Sequence, residues 1–304
     1  MKLKGFVMMT ALLCCFAVFA TAQNLQNRLP SRAHASAANA PATTPQKSTG
    51  ARSEADTCAY TFTVAGSNNN YMEFCVSVNG NVISFQSPAG IEYLDLGTLA
   101  EGYGICDFTS GTSYYDYSDY GISGNWNAPV TLSSSATAVK IQRTTSDGIY
   151  TLTMTFTKVT GTTPYAKITM ALKNNTAVAR DVYLIRWADI DPWDATSSGS
   201  FLESFDSTIN AAWGYEALDY TGANYAGHGL MLENLGVPNV TSGWAAYNLA
   251  INSPPTNVCS PLDVFGNDEY LGYEASVDGS VEMLYLLELG AKKTGTVNSR
   301  YLAF

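Results

Sequence analysis

Three consecutive segments near the middle of the chain alternate between apolar and polar side chains. In 150–157 every second residue is large and apolar, and four threonines occupy the positions between them. Segments 137–144 and 164–174 repeat the pattern. Because successive side chains of a strand point to opposite faces, we predict three strands with one face in a core and the other in water. Short connections containing Gly or Pro predict that these strands form an antiparallel meander.

Further strands are predicted on both sides of this meander, and they define the fold class. In 181–188 both faces are apolar apart from Arg186, which predicts a central strand covered on both sides. No window of helical amphipathicity exceeds about two turns. We therefore predict an all-β protein, a large antiparallel β-sandwich without substantial helix. The other predicted strands are 60–64, 71–78, 82–86, 281–289 and 296–304.

A repeated pattern raises the hypothesis of two related halves. Segments 96–102 and 289–295 share the pattern Leu-Gly-x4-Gly. Two sandwich halves, or a supersandwich, would then divide near residue 175. The alternative is that hairpins simply reuse glycine, and then the repeat has no structural meaning.

The N-terminal region has the features of an export signal followed by a leader. Lys2 and Lys4 precede an apolar run over 6–20, and Ala20 and Ala22 are small residues before a cleavage site. We predict a signal peptide over 1–22 and a secreted or cell-surface protein with no transmembrane segment in the mature chain. Residues 23–56 lack aromatic side chains and are rich in Ala, Ser, Thr and Pro, which predicts a disordered leader. The sandwich domain then spans 57–304.

Four cysteines follow the predicted signal peptide. An even count in a secreted chain favours two disulfides among Cys58, Cys75, Cys106 and Cys259, with three pairings open. If the first hairpin turns near Asn68, Cys75 lies opposite Thr61, so we do not expect a Cys58–Cys75 bridge. A bridge from Cys259 to the first half of the chain would contribute about 4–5 kcal/mol by restricting the unfolded state.

The charge of the predicted domain narrows its range of partners. The whole chain has a formal charge of −10, and ten basic and 24 acidic residues follow position 56, a charge of −14. Such a surface repels phosphate backbones and anionic lipids, so no nucleic-acid partner is predicted. A neutral sugar, a cation or a basic partner would be compatible with it.

A short acidic segment follows the predicted central strand. Asp189, Asp191 and Asp194 lie within six residues, and their carboxylates could bind calcium. The alternative is an Asp-rich turn in which Asp189 pairs with Arg186 and Asp191 accepts hydrogen bonds from backbone N–H groups.

Aromatic residues accompany the acidic ones in two segments. One segment contains Trp187 and Trp193, and the other contains Tyr114, Tyr115, Tyr117 and Tyr120. Aromatic rings stack on the apolar faces of sugars, while Asp accepts hydrogen bonds from hydroxyl groups. These residues are predicted to bind a glycan or another extracellular surface. The alternative is that they belong to the core, where most aromatic residues lie.

Three functional hypotheses follow. The first is a non-catalytic secreted or cell-surface binding protein that uses its aromatic and acidic loops. The second is a glycan-active hydrolase or lyase, with a carboxylate pair drawn from Asp189, Asp191, Asp194, Glu203 and Asp206. The third is a structural protein of the cell envelope. One histidine after position 56 and no Gly-x-Ser-x-Gly sequence argue against serine hydrolases and multi-histidine zinc sites.

Overall fold

The computed structural model describes most of the chain after residue 56. The described residues are 57–67, 70–94, 101–118, 121–190, 201–206, 210–216, 228–240, 242–251, 254–260, 264, 274–275 and 280–304. Within them, every element of two or more residues is a β-strand. The predicted all-β class is therefore confirmed.

The strands, in chain order, form three antiparallel sheets. They are β1 (Tyr60–Val64), β2 (Met72–Val76), β3 (Val82–Gln86), β4 (Glu101–Asp107), β5 (Thr112–Tyr117), β6 (Gly121–Ile122), β7 (Val130–Ser134), β8 (Ala138–Thr144), β9 (Tyr150–Val159), β10 (Tyr165–Asn174), β11 (Arg180–Asp189), β12 (Phe201–Asp206), β13 (Ala211–Glu216), β14 (Gly229–Asn234), β15 (Ser242–Ile251), β16 (Glu274–Ala275), β17 (Ser280–Leu289) and β18 (Thr294–Ala303).

Two large sheets and one small sheet build the sandwich. The nine-stranded sheet has the order β16-β12-β13-β14-β18-β10-β9-β8-β7, and the six-stranded sheet has the order β15-β17-β11-β4-β5-β6. The small sheet is β1-β2-β3. Its aromatic residues Phe62, Phe74 and Phe85 join the same core as the two large sheets.

The predicted meander is confirmed as β8, β9 and β10, which are neighbours in the nine-stranded sheet. Leu152, Met154 and Phe156 are completely buried, while the threonines between them are half-buried. Burying each such apolar side chain contributes about 1.5–3 kcal/mol before entropy is counted. The period of two therefore follows directly from the packing of one sheet face.

The six-stranded sheet is covered on both faces, as the pattern of 181–188 predicts. Its inner face, toward the nine-stranded sheet, carries Val182, Leu184 and Ala188 of β11. Its outer face carries Ile185 and Trp187, which belong to a separate buried cluster. β11 is central because it pairs with β4 on one side and β17 on the other.

Strands from both sides of residue 175 pair within the large sheets. β4 pairs with β11, and β10 pairs with β18. A division near 175 therefore does not coincide with a division between sheets. The first copy of the repeated glycine pattern, 96–102, lies largely outside the described residues.

Two disulfides join the four cysteines. Cys106–Cys259 closes a loop over a sequence separation of 153 residues. Cys58–Cys75 is also formed, with its Cα atoms 5.6 Å apart, so the expectation against this bridge is wrong. The register was anticipated, because Thr61 does lie opposite Cys75. Cys58, however, precedes β1 and does not have to follow the register of that strand. Its backbone can therefore approach Cys75.

The disulfides bear on the compartment of the protein. Such bonds are typical of proteins that fold in oxidising, extracytoplasmic environments. The described residues contain no helix that is long and apolar enough to cross a membrane. The predicted signal peptide, 1–22, and leader, 23–56, lie outside the described residues and stay predictions.

Candidate functional site

The outer face of the six-stranded sheet carries a buried glutamate. Glu282 lies in β17, directly opposite Trp187 of β11. Leu284, two residues further along β17, belongs to the outer cluster, so strand alternation places Glu282 on the same face. Both Glu282 and Trp187 are 0% exposed.

The polar atoms of this cross-strand pair have no hydrogen-bond partner among the described residues. They are both carboxyl oxygens of Glu282 and the indole Nε1 of Trp187. An unsatisfied buried polar group costs about 1–3 kcal/mol, and a charged one costs more. The other buried side-chain atoms without a hydrogen bond are single hydroxyl oxygens and arginine Nε atoms. The pair therefore differs from them, because the two residues that carry these atoms are direct cross-strand neighbours.

The surroundings of Glu282 favour its neutral form. Leu284, the next residue on the same face of β17, is apolar and completely buried. Burial raises the pKa of the Glu282 carboxyl well above its usual range. A neutral carboxylic acid can donate one hydrogen bond and accept others.

A second carboxylate lies on the same face at the end of the sheet. Asp189, the last residue of β11, is opposite Ser280, the first residue of β17. The Ser280 hydroxyl donates to Oδ1 of Asp189 at 3.0 Å. Asp189 and Glu282 are diagonal neighbours, a relation in which Cα atoms lie about 7–8 Å apart. Asp189 is 4% exposed, so both carboxyl groups lie in a largely enclosed environment.

A row of aromatic rings extends from Trp187 across the outer face. The rings of Trp187 and Tyr117 meet edge to face, with centroids 5.6 Å apart. Tyr117 and Tyr115 are stacked, with centroids 5.3 Å apart. Tyr115 is half-buried, whereas Tyr117 is 2% exposed. The row therefore connects the enclosed pair to the partly exposed side of β5.

Residues 254–260 cover the part of the outer face beside this row. The Cys106–Cys259 disulfide fixes the segment to β4, and Tyr117 donates its hydroxyl hydrogen to the carbonyl of Pro255 at 2.9 Å. The covering segment can lie this close to β4 only because residue 104 is a glycine. A Cβ on Gly104 would lie 2.7 Å from Cγ2 of Val258. The glycine in β4 thus lets the covering segment pack directly on the sheet.

The inner face of the same sheet carries a buried ion pair with several further hydrogen-bond partners. Glu101 of β4 pairs with Arg186 of β11, and both are 0% exposed. Glu101 also accepts hydrogen bonds from the backbone N–H of Val82 at 2.7 Å and from the Tyr301 hydroxyl at 2.9 Å. Burial raises the pKa of Glu101 to about 7, while Arg186 and these donors act in the opposite direction. Because Val82 is in β3 and Tyr301 in β18, the carboxylate links all three sheets.

A second buried pair supports the first. Arg143 of β8 donates to Oδ2 of Asp116 in β5 at 2.7 Å and to the Tyr103 hydroxyl at 3.1 Å. The Asn81 side chain donates to backbone carbonyls of Glu101 and Asp116. These contacts explain how several charges are tolerated between the sheets, since each charged group has an opposite charge and donors or acceptors around it.

Three of the aromatic residues that were predicted to bind a ligand are buried: Trp187, Tyr114 and Tyr117. Trp187 and Tyr114 are 0% exposed, and the three rings pack in the interior. Tyr114 lies on the inner face, where its hydroxyl donates to Asp147 at 2.5 Å. Trp187, Tyr117 and Tyr115 are nevertheless brought together on the outer face, as described above. Trp193 and Tyr120 lie outside the described residues.

The predicted acidic residues are divided between the two large sheets. Asp189 is in the six-stranded sheet, whereas Glu203 and Asp206 belong to β12 of the nine-stranded sheet. Asp191 and Asp194 lie outside the described residues. The described part of the chain contains no group of three or more candidate metal ligands. Calcium binding by Asp189, Asp191 and Asp194 stays a prediction.

The alternative ion pair between Asp189 and Arg186 is wrong. These residues are three positions apart in one strand, so their side chains point to opposite faces of the sheet. Arg186 pairs with Glu101 on the inner face, and Asp189 contacts Ser280 on the outer face.

Glu282 was absent from the sequence-based candidates, although the sequence contains a signal for it. In Val281–Leu289 only Glu282 and Glu288 interrupt an apolar run, and a strand apolar on both faces is a central strand. A carboxyl group near the start of such a strand is expected to be buried. The identity of its cross-strand neighbour, Trp187, could not be read from the sequence, because 95 positions separate the two residues.

Comparisons with known proteins give only distant similarities. No protein-family model matches the sequence, and no curated protein is similar to it. A solved structure of an Escherichia coli K12 protein, provisionally assigned as an aldose 1-epimerase, has a TM-score of 0.41 and 10% identity, covering 81% of this chain and 99% of its own. A polysaccharide lyase has a TM-score of 0.39 and 8% identity over 79% of this chain and 33% of its own.

A third similar structure is a provisionally assigned kojibiose phosphorylase from the human microbiome. It has a TM-score of 0.32 and 10% identity, covering 78% of this chain and 29% of its own. This chain thus spans about a third of the length of the lyase and of the phosphorylase. Because the TM-scores are below 0.5, the similarities do not bear on the ligand or activity of this chain.

Proposed function

We propose that the protein is an extracytoplasmic carbohydrate-binding protein whose binding site is the Glu282–Trp187 pair on the outer face of the six-stranded sheet. The observation that carries this proposal is that a carboxyl group and an indole N–H, buried and directly opposed, have no hydrogen-bond partner among the described residues. Buried polar groups of native proteins are almost always satisfied by protein, water or ligand.

The chemistry of the pair matches hydroxyl groups. The indole N–H of Trp187 is only a donor, so its partner must accept a hydrogen bond. The neutral Glu282 carboxyl both donates and accepts. A hydroxyl group can do both as well, and adjacent hydroxyls of one sugar could meet the two residues together. An anion would satisfy Trp187 but would be disfavoured beside Asp189 and by the formal charge of −14 after residue 56.

The surroundings supply the apolar contacts that a sugar ring needs. The half-buried Tyr115 lies at the partly exposed end of the row that begins at Trp187, and sugar rings pack their C–H faces against such aromatic groups. The pair lies near the end of the sheet, where β11 ends at Asp189 and β17 begins at Ser280. The two disulfides and the predicted signal peptide support an extracytoplasmic location, where glycans are accessible.

Binding of neutral oligosaccharides tests the proposal. The full chain would be applied to an array of gluco-, galacto-, manno- and xylo-oligosaccharides, and Kd measured by calorimetry for those retained. Trp187→Phe keeps an aromatic ring but removes the donor, so binding is expected to weaken about five- to tenfold, the value of one hydrogen bond. Trp126→Phe is the matched control, because the Trp126 indole N–H already donates to the carbonyl of Tyr115 at 3.1 Å. Its Kd should stay within a factor of two of the original, about 0.4 kcal/mol.

Two results would contradict the proposal. Absence of binding to every neutral oligosaccharide would assign the Glu282 and Trp187 groups to buried water, which commonly fills this role in proteins. Equal weakening by Trp187→Phe and Trp126→Phe would place the binding site elsewhere.

A further inference from the structure

We propose that Glu282 and Asp189 are the acid and the base of a hydrolytic reaction on glycosidic bonds, so that the binding site is also an active site. The inference rests on the proposed carbohydrate binding, and it adds a chemical step to it. Two carboxyl groups on one face, in adjacent strands and one diagonal step apart, carry the inference.

The two carboxyl groups have different environments. Glu282 is followed on the same face by the buried apolar side chain of Leu284 and has no hydrogen-bond partner among the described residues. Asp189 accepts a hydrogen bond from Ser280 at 3.0 Å, and a hydrogen bond to a carboxylate stabilises its charged form. Glycosidases use such a pair of unlike carboxyl groups, one neutral and one ionised. Burial raises the pKa of Glu282 well above its usual range, which fits the acid role.

The other buried carboxyl groups of the described region have partners within the protein. Glu101 and Asp116 are paired with Arg186 and Arg143 on the inner face. Asp107 is also 0% exposed and pairs with Arg180. The half-buried Glu92 accepts hydrogen bonds from the backbone N–H of Phe85 and the hydroxyl of Ser84. Glu282 is the one buried carboxyl of the described residues that has both oxygens available to a ligand.

The step balances without any additional reactant except water. The Glu282 carboxylic acid donates its proton to the glycosidic oxygen as the bond between that oxygen and the anomeric carbon breaks. A water molecule adds to the anomeric carbon, and Asp189 accepts a proton from that water. The proton on Asp189 then exchanges with solvent, and Glu282 takes one up. One C–O bond is broken, another is formed, and nothing is oxidised or reduced.

Separate measurements of binding and bond cleavage test the inference. The same gluco-, galacto-, manno- and xylo-oligosaccharides would be incubated with the full chain, and new reducing ends counted. Glu282→Gln keeps a donor and an acceptor at the site but cannot transfer a proton. Kd is therefore expected to change less than threefold, while kcat falls at least 100-fold, the usual effect of losing a general acid. Asp189→Asn should also lower kcat, and Glu282→Gln should remove the alkaline limb of the pH profile.

A matched control is available in the same strand. Glu288 lies on the same face of β17, six residues further on, and is half-buried. Glu288→Gln should leave kcat and its pH profile unchanged. Infrared spectroscopy at pH 7 provides a readout without substrate: the carbonyl band of a protonated carboxylic acid should be present in the original protein and reduced in Glu282→Gln.

The outcomes separate this inference from the proposed function. If an oligosaccharide binds but no reducing ends appear, the active-site inference is rejected and the binding function stands. The inference is also rejected if Glu282→Gln cleaves at the original rate, or if the infrared band is unchanged. If no oligosaccharide binds, the proposed function itself is rejected, and the active site with it.

Discussion

Glu101 and Glu282 are completely buried in the same sheet, yet they point to opposite faces and differ in their partners. Glu101 points between the sheets, pairs with Arg186 and accepts hydrogen bonds from Val82 and Tyr301. Glu282 points to the outer face and has neither a cation nor a hydrogen-bond donor among the described residues. Burial raises the pKa of both, but only at Glu101 does a neighbouring cation oppose the shift.

This difference distinguishes a residue that holds the fold from one that is available to a ligand. Removing a charge from water is costly, and the cost is offset only when partners replace the lost hydration. At Glu101 the partners come from three sheets, so the group contributes to their arrangement. At Glu282 the described residues supply no hydrogen-bond partner, so they give no stability reason for a carboxyl group at that position.

The largest expected effect concerns the covalent attachment of the outer face. Replacing Cys106 and Cys259 by serine removes a link that closes 153 residues, and the loss of unfolded-state restriction should cost about 4–5 kcal/mol. The matched control replaces Cys58 and Cys75, whose separation is 17 residues, and should cost about 3 kcal/mol. Urea unfolding of both variants measures the difference. A smaller cost for the longer link would show that the segment 254–260 is held to β4 mainly by packing.

The same substitution at the two buried glutamates should have opposite effects. Glu101→Gln leaves the buried Arg186 without its counter-charge and should destabilise the protein by about 3–5 kcal/mol at pH 7. Glu282→Gln replaces an acid that has no hydrogen-bond partner among the described residues with an amide of the same shape, and the free energy of unfolding should not fall. Urea unfolding at pH 7 compares them, each variant serving as the control for the other. Equal destabilisation would mean that Glu282 has a structural partner and would remove the contrast between the two faces.

The sequence pattern was sufficient for the sheets but not for the contacts between them. The alternation in 150–157 predicts β9 because one sheet face packs on a core, a local property of the chain. The pattern of 181–188 likewise identifies a central strand and marks Arg186 as exceptional. The partner of Arg186 is Glu101, 85 residues away, and separations of this kind are not encoded in any local period. Strand β4 itself was not predicted, because glycines such as Gly102 and Gly104 are typical of turns. Here the absence of a Cβ atom at both positions lets neighbouring groups pack close to the sheet.

Several residues of the site were predicted from the sequence, but their exposure to solvent was not predicted correctly. Trp187, Tyr117 and Asp189 were all identified as candidates, and the structure brings Trp187 and Tyr117 into contact. They were expected to act from loops, although Trp187 also lies in the predicted central strand 181–188. Their strands instead have covered outer faces, and the cover at 254–260 depends on a disulfide whose partner could not be deduced from cysteine spacing.

The smallest expected effect is a pH-dependent difference in stability between the original protein and Glu282→Gln. Below the pKa of the unfolded state, near 4.3, the acid is protonated in both states, so the original protein and Glu282→Gln should unfold at similar urea concentrations. As the pH rises above that value, only the unfolded state releases the proton, and the stability of the original protein falls relative to Glu282→Gln. The difference in the free energy of unfolding between the two proteins can grow by at most about 1.4 kcal/mol for each pH unit. It stops growing once the pH passes the raised pKa of Glu282 in the folded state. Urea unfolding of the original protein and of Glu282→Gln at pH 4, 5, 6 and 7 measures this difference. A constant difference between pH 4 and 7 would mean that Glu282 titrates normally in the folded protein, and then neither its burial nor its proposed acid role could be maintained.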